Sequence, residues 1–183
     1  MRRCRFAPAV LPLLAVPALA DCPGELKSVE TAVKTAGAYR FAMGFAGSPG
    51  ETRFDVVLPD RNRMKLGDIE GVVVGDTTWV KQGESWIVSP NPAAHIGPDH
   101  ELDTLDMDAV ANVACTDAEL DGRAVRHFSY LKRLMDGANK RPIDLYVDPS
   151  TGLPVQQYIG KGEPGEGTIR YTFDSSIVIE SPL

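Results

Sequence analysis

Three histidines, three cysteines, a serine in a glycine-led turn and a run of carboxylates are the residues of this chain whose types could do chemistry. Gly83-Glu84-Ser85-Trp86-Ile87 opens like a nucleophile elbow. It lacks the second glycine, however, and falls between two short strands instead of between a strand and a helix. His95, His100 and His127 are scattered along the chain, so a hydrolase using His127 or His95 is the weakest functional reading. The acidic run Asp99, Glu101, Asp103, Asp106 and Asp108 invites calcium, which takes clustered carboxylates. Its spacing is not that of a calcium loop and it has no central glycine; carboxylates at a helix start and on a solvated face explain it better. With no metal-ligand pair at helical spacing and no phosphate-cradling glycine loop, no catalytic residue, metal or cofactor is expected.

The aromatic and sulfur-bearing side chains carry more information. Phe41, Met43, Phe45, Phe54, Met64, Trp79, Trp86, Phe128, Tyr130, Tyr171 and Phe173 are spread over many strand-like segments, and several are expected to share one sheet face. On a curled sheet that face lines a concavity, and an apolar concavity under a helical lid can hold an acyl chain or another greasy ligand. These residues are the candidate ligand-binding set. In a filled sheet they would be ordinary core.

The elements that must position them follow from periodicity. Leu26, Val29 and Val33 recur at helical spacing between Glu25 and Ala36, with Pro23 in the first turn and Gly37 as the stop. The period then becomes two: Tyr39, Phe41, Met43 and Phe45 alternate with smaller or polar residues, and the Gly47-Ser48-Pro49-Gly50 turn leads into Phe54, Val56 and Leu58. Short strands are predicted at 63–66, 71–74, 77–81 and 85–88, separated by Gly67-Asp68, Gly75-Asp76 and Gly83-Glu84. Connections this short permit only an antiparallel meander. Residues 89–98 are a proline-rich loop, and Leu102, Leu105, Ala109, Val110 and Val113 predict a second helix over 99–114. Strands return at 123–134, 143–147, 155–159, 168–173 and 177–179. The fold class is mainly β with α: one large curved antiparallel sheet whose open face needs a helical cover.

Residues 1–20 read as a cleavable export signal, with Arg2, Arg3 and Arg5, an apolar stretch from Phe6 to Leu14, and Ala18-Leu19-Ala20 before the cut. The stretch is shorter than the roughly 20 apolar residues of a spanning helix and is broken by Pro8, Pro12 and Pro17. Asp21, not a small residue, precedes Cys22, so no lipid anchor is expected. The mature protein, 21–183, is then a single soluble periplasmic domain. Without the three arginines the 19 basic residues become 16 against 25 acidic ones, and the formal charge moves from −6 to −9. Nucleic acid and anionic membrane surfaces need a basic footprint and are disfavoured as partners. Cys4 leaves with the signal, and Cys22 and Cys115 remain to form a disulfide.

In their order along the chain, several segments resemble the LolA-like superfamily, the periplasmic lipoprotein carriers and their LppX-type lipid-binding relatives. The segments are Val57 to Met64, Gly75 to Lys81 followed by Trp86, Gly122 to Tyr130, Leu145 to Pro154, and Tyr171 to Asp174 running on to Ile179-Glu180-Ser181-Pro182. The resemblance implies a half-barrel of about eleven strands with two or three helices in its open side. It also implies a cavity that holds acyl chains of lipids or lipoproteins without chemistry. The expected function is therefore a non-enzymatic, monomeric binder or carrier whose partner is a hydrophobic small molecule or a lipidated protein. The alternative is a closed-core module that contacts another envelope protein. N-terminal sequencing of the protein recovered from the periplasm is expected to begin at Asp21; an intact Met1 would overturn the export reading.

Overall fold

A computed structural model describes residues 21–89, 105, 107–133 and 140–183. The expected signal segment, the loop from residue 90 onward, His95, His100 and most of the acidic run lie outside the described residues.

The sequence sets helix α1 (Cys22–Ala36) sharply at both ends. The Asp21 carboxylate accepts the Gly24 N–H at 3.1 Å, and Gly37, in the left-handed region at φ 73°, donates its N–H to the Val33 carbonyl. The chain then runs straight into β1 (Ala38–Phe45), β2 (Thr52–Val57), β3 (Arg61–Leu66), β4 (Ile69–Val74), β5 (Thr77–Gln82) and β6 (Ser85–Val88). Two-residue turns join β3 to β4, β4 to β5 and β5 to β6. Each begins with a glycine at positive φ, as Gly75 does at 57°, a conformation that closes such hairpins with the twist of their strands. A single 3₁₀ turn (Met107–Ala109) precedes the second run: β7 (Val110–Leu120), β8 (Arg123–Arg133), β9 (Lys140–Val147), β10 (Pro154–Ile159) and β11 (Gly167–Phe173).

Both runs are meanders, and the pairing of β1 with β11, Phe41 opposite Tyr171, fuses them into one sheet. Its order is β6-β5-β4-β3-β2-β1-β11-β10-β9-β8-β7, all eleven strands antiparallel; the sheet is curved and unclosed, with β6 and β7 at its edges. Alternation then assigns two faces. The inner face, the one that carries α1, presents Tyr39, Phe41, Phe54, Val56, Phe128, Tyr130, Ile143, Leu145, Val147, Ile159 and Ile169. These pack with Leu26, Val29 and Val33 of the helix as the main core.

Two sequence expectations are corrected. Residues 110–114, predicted as the end of a second helix, are strand, and α1 is the one α-helix among the described residues. The misleading signal is a β-bulge. Asn112, at φ 57°, breaks the register between Ala111 and Ala114, so that Val110, Val113 and Cys115 all pack toward the core. Two apolar residues three apart on one face mimic a helical period. Residues 177–179, predicted as a strand, pair with no other strand; they lie across the outer face of the β2–β6 half, where Ile179 is 1% exposed.

The disulfide is present as expected. Cys22 at the start of α1 is bonded to Cys115 on β7, 93 residues away, which ties the helix to one sheet edge. For a loop of that length the chain-entropy model gives about 4–5 kcal/mol. The Cys22→Ala, Cys115→Ala double variant is expected to lose stability of about that size, read from the urea midpoint; an unchanged midpoint would show that the bond contributes nothing.

Candidate functional site

The position of α1 decides which part of the inner face is core and which part is available. At its N-terminal end, next to the disulfide, the Arg126 guanidinium on β8 forms a two-pronged pair with Glu25. Nε donates to Oε2 at 2.8 Å and Nη2 to Oε1 at 3.0 Å, while Nη1 reaches Asp117 on β7 at 2.9 Å. The bonds to Glu25 and Asp117 hold this guanidinium above its ordinary pKa. At the other end Gly37 passes directly into β1, and its carbonyl accepts the Leu58 N–H at 2.7 Å. The helix therefore runs from β7 to β1. Fifteen residues span about 22 Å, and the five strand spacings between β7 and β1 span about 24 Å. Nothing of α1 is left to cover β2–β6.

On that half the register lines up a row across six strands: Phe41, Phe54, Met64, Gly71, Val80 and Ile87. Gly71, between Met64 and Val80, alone in the row has no side chain. Beside this row run Val56, Asn62, Val73 and Thr78. Asn62 is buried, and its Oδ1 has no hydrogen-bond partner. Phe45 (40% exposed), Leu66 (40%), Ile69 (54%) and Ile87 (38%) all fall on this side by register. Single exposed apolar residues are ordinary on any protein; several on one half of one face form a patch.

The eleven predicted ligand-binding residues divide accordingly. Phe41, Phe54, Phe128 and Tyr130 are buried core, and Met43, Met64, Tyr171 and Phe173 pack partly buried against it. Phe41 stacks on Phe54 with ring centroids 4.5 Å apart, and the Tyr171 hydroxyl donates to buried Gln157 at 3.0 Å. Phe45 leans over Gly167, where any β-carbon would stand 2.9 Å from its ring. Trp79 and Trp86 do not join them. By register they face outward, and with Val72 they hold the C-terminal Ile177 and Ile179, whose carbonyl (Ile179) accepts from Arg61 Nη1 at 2.8 Å. Leu66, Ile69, Gly71, Val80 and Ile87 went unrecognised in the sequence because short aliphatic residues in hairpins look alike until cross-strand register puts them in a row. His127 also faces outward; its Nε2 meets Asp144 Oδ1 at 2.7 Å and its ring stacks on Tyr146.

No family model matches the chain. No curated protein matches it either. Among solved structures, lipoprotein LppX of Mycobacterium tuberculosis superposes with a TM-score of 0.62 at 15% identity, over 88% of this chain and 100% of LppX. The fold is LppX-type. A LolA superfamily protein from Nitrosomonas europaea aligns more loosely, with a TM-score of 0.33 at 7% identity over 84% of this chain and 92% of its own. MucB, solved in complex with MucA, aligns with a TM-score of 0.44 at 15% identity over 83% of this chain and 53% of MucB. At these identities the LppX-type likeness concerns the fold alone.

The remaining feature of α1 is Glu30, a buried carboxylate held between Lys27 and Lys34, the latter at 2.6 Å. Lys27 also donates to the Leu105 carbonyl at 3.3 Å. Burial alone would raise the Glu30 pKa, but the bonds from the two lysines outweigh it and the net direction is down. Its contribution to stability is thus complete above the ordinary glutamate value of about 4.3 and is lost as pH falls through the lower folded value. Glu30→Gln is expected to be less stable than the wild type at neutral pH, by about 1 kcal/mol because both lysines are half exposed. Thermal melts should show that gap closing in acid; a gap independent of pH would refute the assignment.

Proposed function

We propose that this protein is a non-enzymatic binder or carrier of an apolar ligand, a lipid or the acyl chain of a lipoprotein, working outside the cytoplasm. The observation that carries this reading is the apolar inner half-face over β2–β6, which α1 is too short to span and on which Leu66, Ile69 and Ile87 stay exposed, with Phe45 exposed at the end of neighbouring β1. The LppX-type fold is compatible with it, and so is a disulfide, which persists in oxidising compartments. Among the described residues no helix is long and apolar enough to cross a membrane, and no group of three or more His, Cys, Asp or Glu could hold a metal ion.

In this reading Met64, Val80 and Ile87 receive the chain, and the unpartnered Asn62 oxygen accepts a hydrogen bond from the ligand's polar end. Affinity comes from burial at about 0.8 kcal/mol per methylene, so two added methylenes should tighten binding by roughly tenfold. Native mass spectrometry of protein purified without detergent is expected to show co-purified lipid. Uptake of a fluorescent fatty acid is expected to fall at least tenfold in Val80→Arg, on the inner face, and to be unaffected in Val88→Arg, on the outer face. Absence of both bound lipid and fatty-acid uptake in the wild type would overturn the proposal.

A further inference from the structure

The outer face holds a second cavity, unrelated to the apolar half-face. It has a volume of about 470 Å³, within the range of small-molecule sites. The strands create it by ending at different levels. Strand β9 stops at Val147, while β7 and β8 run on to their hairpin turn at Asp121, and the register of β10 shifts between Pro154 and Gln156. The floor is apolar: Leu120, Val125 and Val155.

The polar groups around this floor are not equally engaged. Asp148 is committed to its own turn, accepting from the Ser150 N–H at 2.8 Å and the Ser150 hydroxyl at 2.6 Å. Arg170 is paired with Glu51 at 2.9 Å. Gln156, by contrast, is only 8% exposed, lines the cavity and has no hydrogen bond to its carboxamide. Its carboxamide is not a buried polar group left without a partner; it is open to the cavity, where a ligand can take up its hydrogen-bonding capacity. Arg123 and Asp121, from the hairpin turn, complete the wall; neither forms a salt bridge among the described residues, although Arg123 lies near enough to Asp148 to help lower its pKa.

We propose that this cavity binds a carboxylate attached to a small apolar group that also carries an amide N–H, the chemistry shared by an N-acyl amino acid and the C-terminus of a peptide. Arg123 takes the carboxylate, since a guanidinium fork matches two coplanar oxygens. Gln156 donates to the same carboxylate or to the acyl oxygen, Asp121 accepts from the amide N–H, and Val125 and Val155 pack against the side chain. Because the inner-face row lies on the other side of the sheet, the two sites are independent, and a Val80→Arg protein should bind here as the wild type does.

The test is a titration of the mature protein with N-acetyl-L-valine and, in parallel, with N-acetyl-L-valinamide, following the backbone amide resonances of Ala124, Val125, Gln156 and Thr172. Saturable shifts are expected with the acid, and binding at least tenfold weaker with the amide, which has lost the charge. Arg123→Gln should weaken acid binding by about tenfold or more. Gln156→Met should do the same while its melting temperature stays level or rises, because it removes a carboxamide with no hydrogen bond of its own within the fold; a Gln156 serving structure alone would give a lower melting temperature and unchanged binding. A short peptide ending in valine separates the sources. If it shifts the same resonances with its free C-terminus and not when amidated, the natural ligand is a chain end; if only N-acetyl-L-valine binds, it is a free small acid. The absence of saturable shifts, equal binding of acid and amide, or wild-type affinity in Arg123→Gln would overturn the proposal.

Discussion

Among the described residues one α-helix meets a sheet of eleven strands, and it is fixed at both ends. The disulfide and the Glu25–Arg126 pair hold its start to β7 and β8, while Gly37 delivers its end directly into β1. Helical rise and strand spacing make these anchors compatible only if the helix crosses the β7–β1 half of the sheet. The same geometry forbids it to reach further. One half of the inner face becomes a packed core around Leu26, Val29 and Val33, and the other half becomes an apolar surface that α1 does not reach.

That second half has to stay ordered without the helix, and the outer face shows how. The C-terminal segment lies across it, with Ile177 and Ile179 against Val72, Trp79 and Trp86, and the Arg61 guanidinium holds the Ile179 carbonyl. The two tryptophans, the largest apolar side chains in the chain, thus support β4–β6 from behind. A face backed in this way is ordered by packing on its opposite side. Short hairpin turns add to this: three two-residue connections leave β3–β6 little freedom to slip in register.

Much of this was legible in local sequence. The helix from Cys22 to Ala36 announced itself through Leu26, Val29, Val33 and its capping residues, and the hairpins through glycine-led turns, because helical period, caps and tight turns depend on neighbours a few residues apart. The same locality explains the errors. Val110 and Val113 imitated a helix because the bulge at Asn112 changed the spacing of inward residues, and nothing near Asn112 reveals a bulge. Ile177 to Ile179 imitated a strand because alternation marks one buried face whether the backbone is paired or merely laid against a surface.

What the sequence by itself determined is α1, the hairpins from β1 to β6, the strands from β8 to β11 and the two cysteines able to join, but not β7. What only the tertiary structure decided is which side of the sheet each residue serves. Alternation says that Trp79 and Val80 point in opposite directions, but not which of them points inward; that depends on register carried strand by strand from β1, where α1 defines the inner side. The extent of the exposed face is likewise a relation between a helix length and a strand count, quantities written in distant parts of the chain that meet only when β1 pairs with β11 and the two meanders become one sheet.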